Sequence, residues 1–213
     1  MTMRKRVGSV LFTVAAAAAI AGLSIGPALA STTLKVKVSG GGSYKATAGK
    51  TILQQGSGGS AIKVTCKSSK GSGSLKSGTY HGKAPVKLGT VSKLSFSSCS
   101  GPLGPLTTTV TAKPVLNADS KTKGGKTDAV ISNVHVTVKQ TGCSFKVTGT
   151  APGYYNNSKH ELIMTPNLPV KVSPKPQLTI GDVSGCASLI KNGDHPTYSA
   201  TYKVSRHFKI SSS

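Results

Sequence analysis

The chain has 213 residues, carries 27 Lys and Arg against 5 Asp and Glu for a net charge of +22, and contains no Trp and only 4 Phe. So few carboxylates leave thin material for acid/base hydrolysis, and a charge of this size makes contact with polyanions almost unavoidable. Gly, Ser, Thr, Val and Lys dominate, and hardly any stretch places apolar residues at helical spacing, which argues against a helical fold.

At the N-terminus, Arg4, Lys5 and Arg6 precede an apolar run from Val10 to Leu23 that includes Ala15 to Ala19; Gly26-Pro27 then leads into Ala28-Leu29-Ala30. A basic start, an apolar stretch short for a membrane span and small residues just before the cut predict a cleaved secretory signal over 1–30. The mature protein then begins at Ser31 and occupies 31–213. An uncleaved anchor is the rival reading, disfavoured by the short apolar run and the helix-breaking Gly-Pro. With no cysteine near the cut and no adjacent Arg pair, the general export route is expected rather than lipidation or twin-Arg export. Three of the 27 basic residues fall in this segment, leaving 24 against 5 acids, a net charge near +19. No later segment has a membrane-spanning length, and Ile210-Ser211-Ser212-Ser213 carries no sorting tail, so a secreted protein with no membrane span is expected.

Beyond residue 30, alternation at period two recurs. Leu34, Val36 and Val38 alternate with Lys35, Lys37 and Ser39; Ile62, Val64 and Cys66 alternate with Lys63, Thr65 and Lys67. These are half-buried strands with lysines facing water. Further strands are predicted at 94–98, 106–112, 130–139, 145–150, 162–165, 170–173, 177–183 and 198–205. About ten strands result, punctuated by turn clusters at Gly40-Gly41-Gly42, Gly56-Ser57-Gly58-Gly59, Gly124-Gly125 and Asn192-Gly193-Asp194. The expected class is all-β, an antiparallel β-sandwich or barrel-like fold, because strands with one apolar face must stack against another such face. An echo between Phe96-Ser97-Ser98-Cys99 and Val183-Ser184-Gly185-Cys186 allows two related halves, with a weak boundary near 119–127 and the lysine-rich stretch 121–126 as a mobile connection.

The cysteines, Cys66, Cys99, Cys143 and Cys186, are even in number and are expected to be oxidised in an exported chain. Three pairings are possible. Spacing favours Cys66 with Cys99 and Cys143 with Cys186, closing loops of 33 and 43 residues, each stabilising by ~3–4 kcal/mol on the chain-entropy argument. Zinc binding is the competing use, but no C-x-x-C pair exists.

With these residues in place, the chain resembles a broad group of small, uncharacterised secreted proteins of actinomycete bacteria. The resemblance rests on Val64-Thr65-Cys66, Phe96-Ser97-Ser98-Cys99, Gly101-Pro102-Leu103-Gly104, Gly185-Cys186, Leu189-Ile190, Gly193-Asp194 and Tyr202. It spans most of the mature chain, implies a disulfide-stapled, β-rich exported protein, and brings no catalytic residues with it.

The inventory for chemistry is sparse. Glu161 stands alone, Asp119 and Asp128 flank the lysine-rich loop, and Asp182 and Asp194 sit beside turns, so no glycosidase-like carboxylate pair is evident. His81, His135, His160, His195 and His207 show no metal-ligand spacing, and His135 is expected to point away from Val134 and Val136. Neither a G-x-S-x-G elbow nor a phosphate-cradling loop is present. No catalytic, metal or cofactor site is therefore assigned, and a non-enzymatic protein is expected; a hydrolase whose site is assembled only by the fold is the remote alternative.

Of the 24 cations, 23 are lysine and only Arg206 is arginine. Lysine is a hydrated point charge, whereas bidentate reading of phosphates and bases favours arginine, so no specific nucleic-acid partner is expected. Lys121, Lys123 and Lys126 form the densest cluster and are candidate polyanion contacts. Tyr154-Tyr155-Asn156-Asn157 is the most ligand-like loop; its plainer reading is a tyrosine packed over a sheet edge beside an asparagine turn. The leading expectation is an exported protein that binds anionic cell-envelope or extracellular polymers, with a solubilising coat as the plainer reading of the same charge. A secreted partner-binding protein, such as an inhibitor of an extracellular hydrolase or a toxin accessory, is the alternative. Oligomeric state is not legible.

Overall fold

The computed structural model describes residues 33–58, 61–168 and 175–213. The expected export signal at 1–30 and the expected strand at 170–173 lie outside the described residues. Within them the chain is built of antiparallel strands: β1 (Thr33–Ser39), β2 (Gly42–Ala48), β3 (Thr51–Gln55), β4 (Ile62–Leu75), β5 (Gly78–Lys83), β6 (Val86–Gly101), β7 (Gly104–Val110), β8 (Val115–Ala118), β9 (Lys126–Gln140), β10 (Cys143–Asn156), β11 (Glu161–Met164), β12 (Leu178–Gly185), β13 (Thr197–Val204) and β14 (Lys209–Ser212). The all-β antiparallel class is as expected, but fourteen strands replace about ten. The difference has a physical origin. In β2 the inward residues are Tyr44, Ala46 and Ala48, and one tyrosine followed by two small alanines gives little apolar alternation. The second half of β4, with Gly71 and Gly73, has no apolar alternation of its own and is extended where β2 and β6 pair with it on both sides.

The larger sheet closes on itself. Pairings run from β9 to β10, β11, β13, β2, β4, β6, β8 and back to β9, which makes a barrel of eight wall positions in sequence order. Three positions are composite. β2 and β3 meet β4 in one register, Ala48 opposite Ser69 and Thr51 opposite Cys66; β7 and β8 follow one another along β9; β12 and β11 share one edge of β10. A small second sheet, β5-β1-β14, buries Leu34, Val36 and Val38 and covers one end of the barrel. It is held there by Asn157, which donates to the Ile210 carbonyl and accepts from the Ile210 amide, both at 2.8 Å, and by the Thr122 amide bonded to the Ser212 carbonyl at 3.0 Å.

Both disulfides take the favoured pairing. Cys66–Cys99 joins directly opposed residues of β4 and β6, and Cys143–Cys186 ties the start of β10 to the turn that follows β12. Both lie toward the end of the barrel away from the small sheet. Residues 119–127, considered as a boundary between halves, form the β8–β9 hairpin. Its two-residue Gly124-Gly125 turn, at φ 56° and 72°, is closed by reciprocal backbone bonds between Lys123 and Lys126, and glycine adopts this left-handed geometry without steric cost.

Among the described residues the wall lacks a ladder in two places: β12 pairs β10 alone, with none to β13, and part of β6 is free on the side of β7 and β8. β6 pairs β7 only from Cys99 to Gly101 and β8 only up to Thr90, with one further bond from the Val91 amide to the Pro114 carbonyl at 2.8 Å. Among the described residues, 92–98 of β6 have no ladder partner on that side. Asn133, at φ 55° where β9 passes from β8 to β7, bends its strand at this level and donates its amide to the Lys113 carbonyl at 3.0 Å; Asn tolerates the left-handed region better than most residues.

Candidate functional site

The fold separates two chemistries, cationic outside and apolar inside. Because side chains alternate across a strand, every lysine that alternates with an inward Val, Leu or Ala is driven outward. All 22 lysines among the described residues are exposed, as is Arg206. Against them, the described residues show a single ion pair, Lys146–Asp182 at 2.7 Å. The cationic shell is therefore almost uncompensated within the molecule.

Lys121, Lys123 and Lys126 are exposed around the β8–β9 turn, and the Lys126 ammonium lies over the Tyr154 ring at 5.4 Å. The other members of the ligand-like loop are engaged internally. Tyr155 is buried and donates its hydroxyl to the Phe208 carbonyl at 3.3 Å; Asn156 accepts from the Ser158 and Lys159 amides; Asn157 bridges the β8–β9 turn and β14, donating to the Gly125 carbonyl at 3.0 Å as well as to Ile210.

The histidines are scattered. His81 and His135 are exposed on β5 and β9, and Val134 and Val136 point inward on either side of His135 as alternation requires. His195 contacts Gln177 and the Leu178 carbonyl at 3.1 and 3.2 Å. His160 stacks on His207, with ring centroids 4.0 Å apart. Among the described residues no group of three or more His, Cys, Asp or Glu is gathered as a metal site.

Asp119 has a less ordinary setting. It is 5% exposed, and neither carboxylate oxygen has a hydrogen-bond partner in the structure. Burial, reinforced by the neighbouring charge of Asp128, raises its pKa to about 6.

Inside the barrel lies an apolar cavity of about 160 Å³. Its wall takes residues from nearly every strand, including Leu53, Leu94, Phe96, Leu116, Val134 and Met164, and no Lys, Arg, His, Asp or Glu. Thus none of His81, His135, His160, Glu161 and Asp194, the residues from which a fold-assembled hydrolytic site would be made, belongs to it. Local sequence gives no hint of the cavity beyond a shortage of bulk: with no Trp and 4 Phe, inward positions such as Ala46, Gly71, Thr108, Ala129 and Ala151 leave space that no neighbour fills.

Comparison with protein families, with curated proteins and with solved structures finds no match to this chain.

Proposed function

We propose that this chain is an exported, non-enzymatic binding protein whose lysine shell holds it to anionic polymers of the cell envelope or its surroundings. The observation that carries this reading is the outward placement of all 22 described lysines with one ion pair among them. Each exposed charge pair with a polymer contributes only ~0–1 kcal/mol, so retention comes from many weak contacts spread over the surface. Lysine suits this use, since it needs no fixed geometry. The two disulfides support an oxidising location, and among the described residues no helix is long and apolar enough to cross a membrane.

A second reading, a secreted partner-binding protein, is favoured by Leu103 and Leu189, 41% and 39% exposed. Each lies within four residues of a bridged cysteine, Cys99 or Cys186. A disulfide-braced loop that presents a large apolar side chain is suited to a protein partner.

Retention on washed cell walls decides between them. Binding at low salt that is lost by ~0.5 M NaCl, where screening shortens the Debye length to a few ångström, supports adhesion. Protein that stays in the supernatant at low salt overturns it, and one stoichiometric extracellular partner held through high salt favours the second reading.

A further inference from the structure

We infer that the barrel interior is a binding site for an uncharged apolar molecule with the girth of a hydrocarbon chain or a single aromatic ring, entered through the break between β6 and β7. This does not rest on the surface reading, since the two involve opposite faces of the same strands.

Size and lining set the ligand class. Cavities of about 150 Å³ lined by Leu, Ile and Phe stay dry and accept benzene, and this one measures about 160 Å³ with an equally apolar wall. Protein interiors are otherwise close-packed. Here the gap is built into the wall: barrel girth follows from the number of strands, while Ala46, Ala129 and Ala151 project too little to fill it. With no Lys, Arg, His, Asp or Glu among the lining residues, a charged group would lose its hydration without replacement.

The polar groups of the lining residues are not offered to a guest. Tyr198 and Tyr202 bond to each other at 2.7 Å, and Tyr155 donates to Phe208. The Tyr44 hydroxyl and Thr108 Oγ1 are buried away from the space, with the Tyr44 hydroxyl turned toward Gly73, so the surface that a guest meets is apolar throughout.

The break supplies the entrance. Leu94 and Phe96 on β6 and Thr108 on β7 face the cavity yet stay partly exposed, where β6 lacks a ladder partner.

The test uses fluorobenzene, uncharged and of benzene size, followed by fluorine NMR with the oxidised protein. Saturable binding at one molecule per chain is expected, unchanged between low salt and ~0.5 M NaCl, displaced by 1-hexanol and at least about tenfold less effectively by hexanoate. Val134→Phe and Val136→Phe each put a ring into the cavity from a partly exposed position and are expected to weaken binding about tenfold or more with circular dichroism unchanged. No saturable binding, binding that salt abolishes, or undiminished binding in a folded filling variant overturns the proposal. If neither variant folds, equal displacement by hexanol and hexanoate overturns it.

Discussion

The Tyr202 hydroxyl lies 2.7 Å from that of Tyr198, four residues earlier on the same inward face of β13, and 2.9 Å from Ser69 on β4. This chain of hydroxyls crosses from one wall position to another without a direct backbone ladder between β13 and that part of β4. It satisfies three polar groups inside an otherwise apolar barrel.

Removing its centre takes Tyr202 from the Tyr198 hydroxyl, while Ser69 keeps its bond to the Ser95 carbonyl. Tyr202→Phe is expected to destabilise the fold by about 1–3 kcal/mol, because unmet buried hydroxyls bear their desolvation cost. Tyr198→Phe should cost less, since Tyr202 keeps Ser69. Urea denaturation of the two variants and their double mutant checks the order; equal, additive effects would remove the network.

Alkaline stability follows from the same burial. Burial pushes Tyr44 and Tyr155 up to about 12 and raises Tyr202 and, with Tyr202 beside it, Tyr198 above the ordinary value of 10.0. The unfolded chain loses these protons first, so stability is full below pH 10 and falls as pH rises above it. Ultraviolet titration should show these tyrosines ionising together with unfolding, not near pH 10.

Asp119 gives a second pH dependence in a lower window. Its carboxyl, raised to about 6 from 3.8, keeps a proton in the native state that the unfolded chain has already lost. Stability from this group is therefore highest below about pH 4 and declines as pH rises through 6. Asp119→Asn, which holds the neutral form, is expected to raise the melting temperature at pH 7–8 and to change it little at pH 4. A shift of equal size at both pH values would count against the assignment.

Asn157 tests the loop that looked ligand-like. Its side chain makes three hydrogen bonds that tie the β8–β9 turn and the small sheet to β10. Asn157→Ala is expected to lose about 2–3 kcal/mol of stability while leaving wall retention unchanged. Loss of retention without loss of stability would return the loop to a binding role.

The lysine shell predicts a salt response in stability as well as in binding. With 22 exposed lysines and one ion pair among the described residues, like charges repel across the surface, and screening relieves that repulsion. The melting temperature should rise between ~20 and ~300 mM NaCl. Replacing Lys121, Lys123 and Lys126 together by Ala should lower wall retention only in part; complete loss would mean one concentrated site instead of a diffuse coat.

Several of these features are legible along the chain and others are not. The strand around Leu34, Val36 and Val38 declares itself because large apolar residues alternate with lysines. The sequential disulfides follow from spacing once the compartment is assumed. Strands β2, β5 and β14 are hidden, since each has one large inward side chain, Tyr44, Tyr80 or Ile210, and the Ala, Gly or Ser beside it carries little apolar signal until a neighbour pairs with the strand. Asn157 stands out in the sequence for its chemistry, but whether an amide faces water or bridges a turn to a distant strand depends on Gly125 and Ile210, far away in sequence.

By itself, then, the sequence determines an all-β, disulfide-bonded chain with its lysines turned outward, because period-two alternation is a local property of each strand. Closure of the barrel is not local. It depends on hydrogen bonds between residues as distant as Ala48 and Tyr202 and on the break beside Phe96. Only that tertiary arrangement brings small inward residues from opposite walls face to face, leaves the Tyr44 and Thr108 hydroxyls and the Asp119 carboxyl buried without partners, and makes an interior that side chains of this size cannot fill.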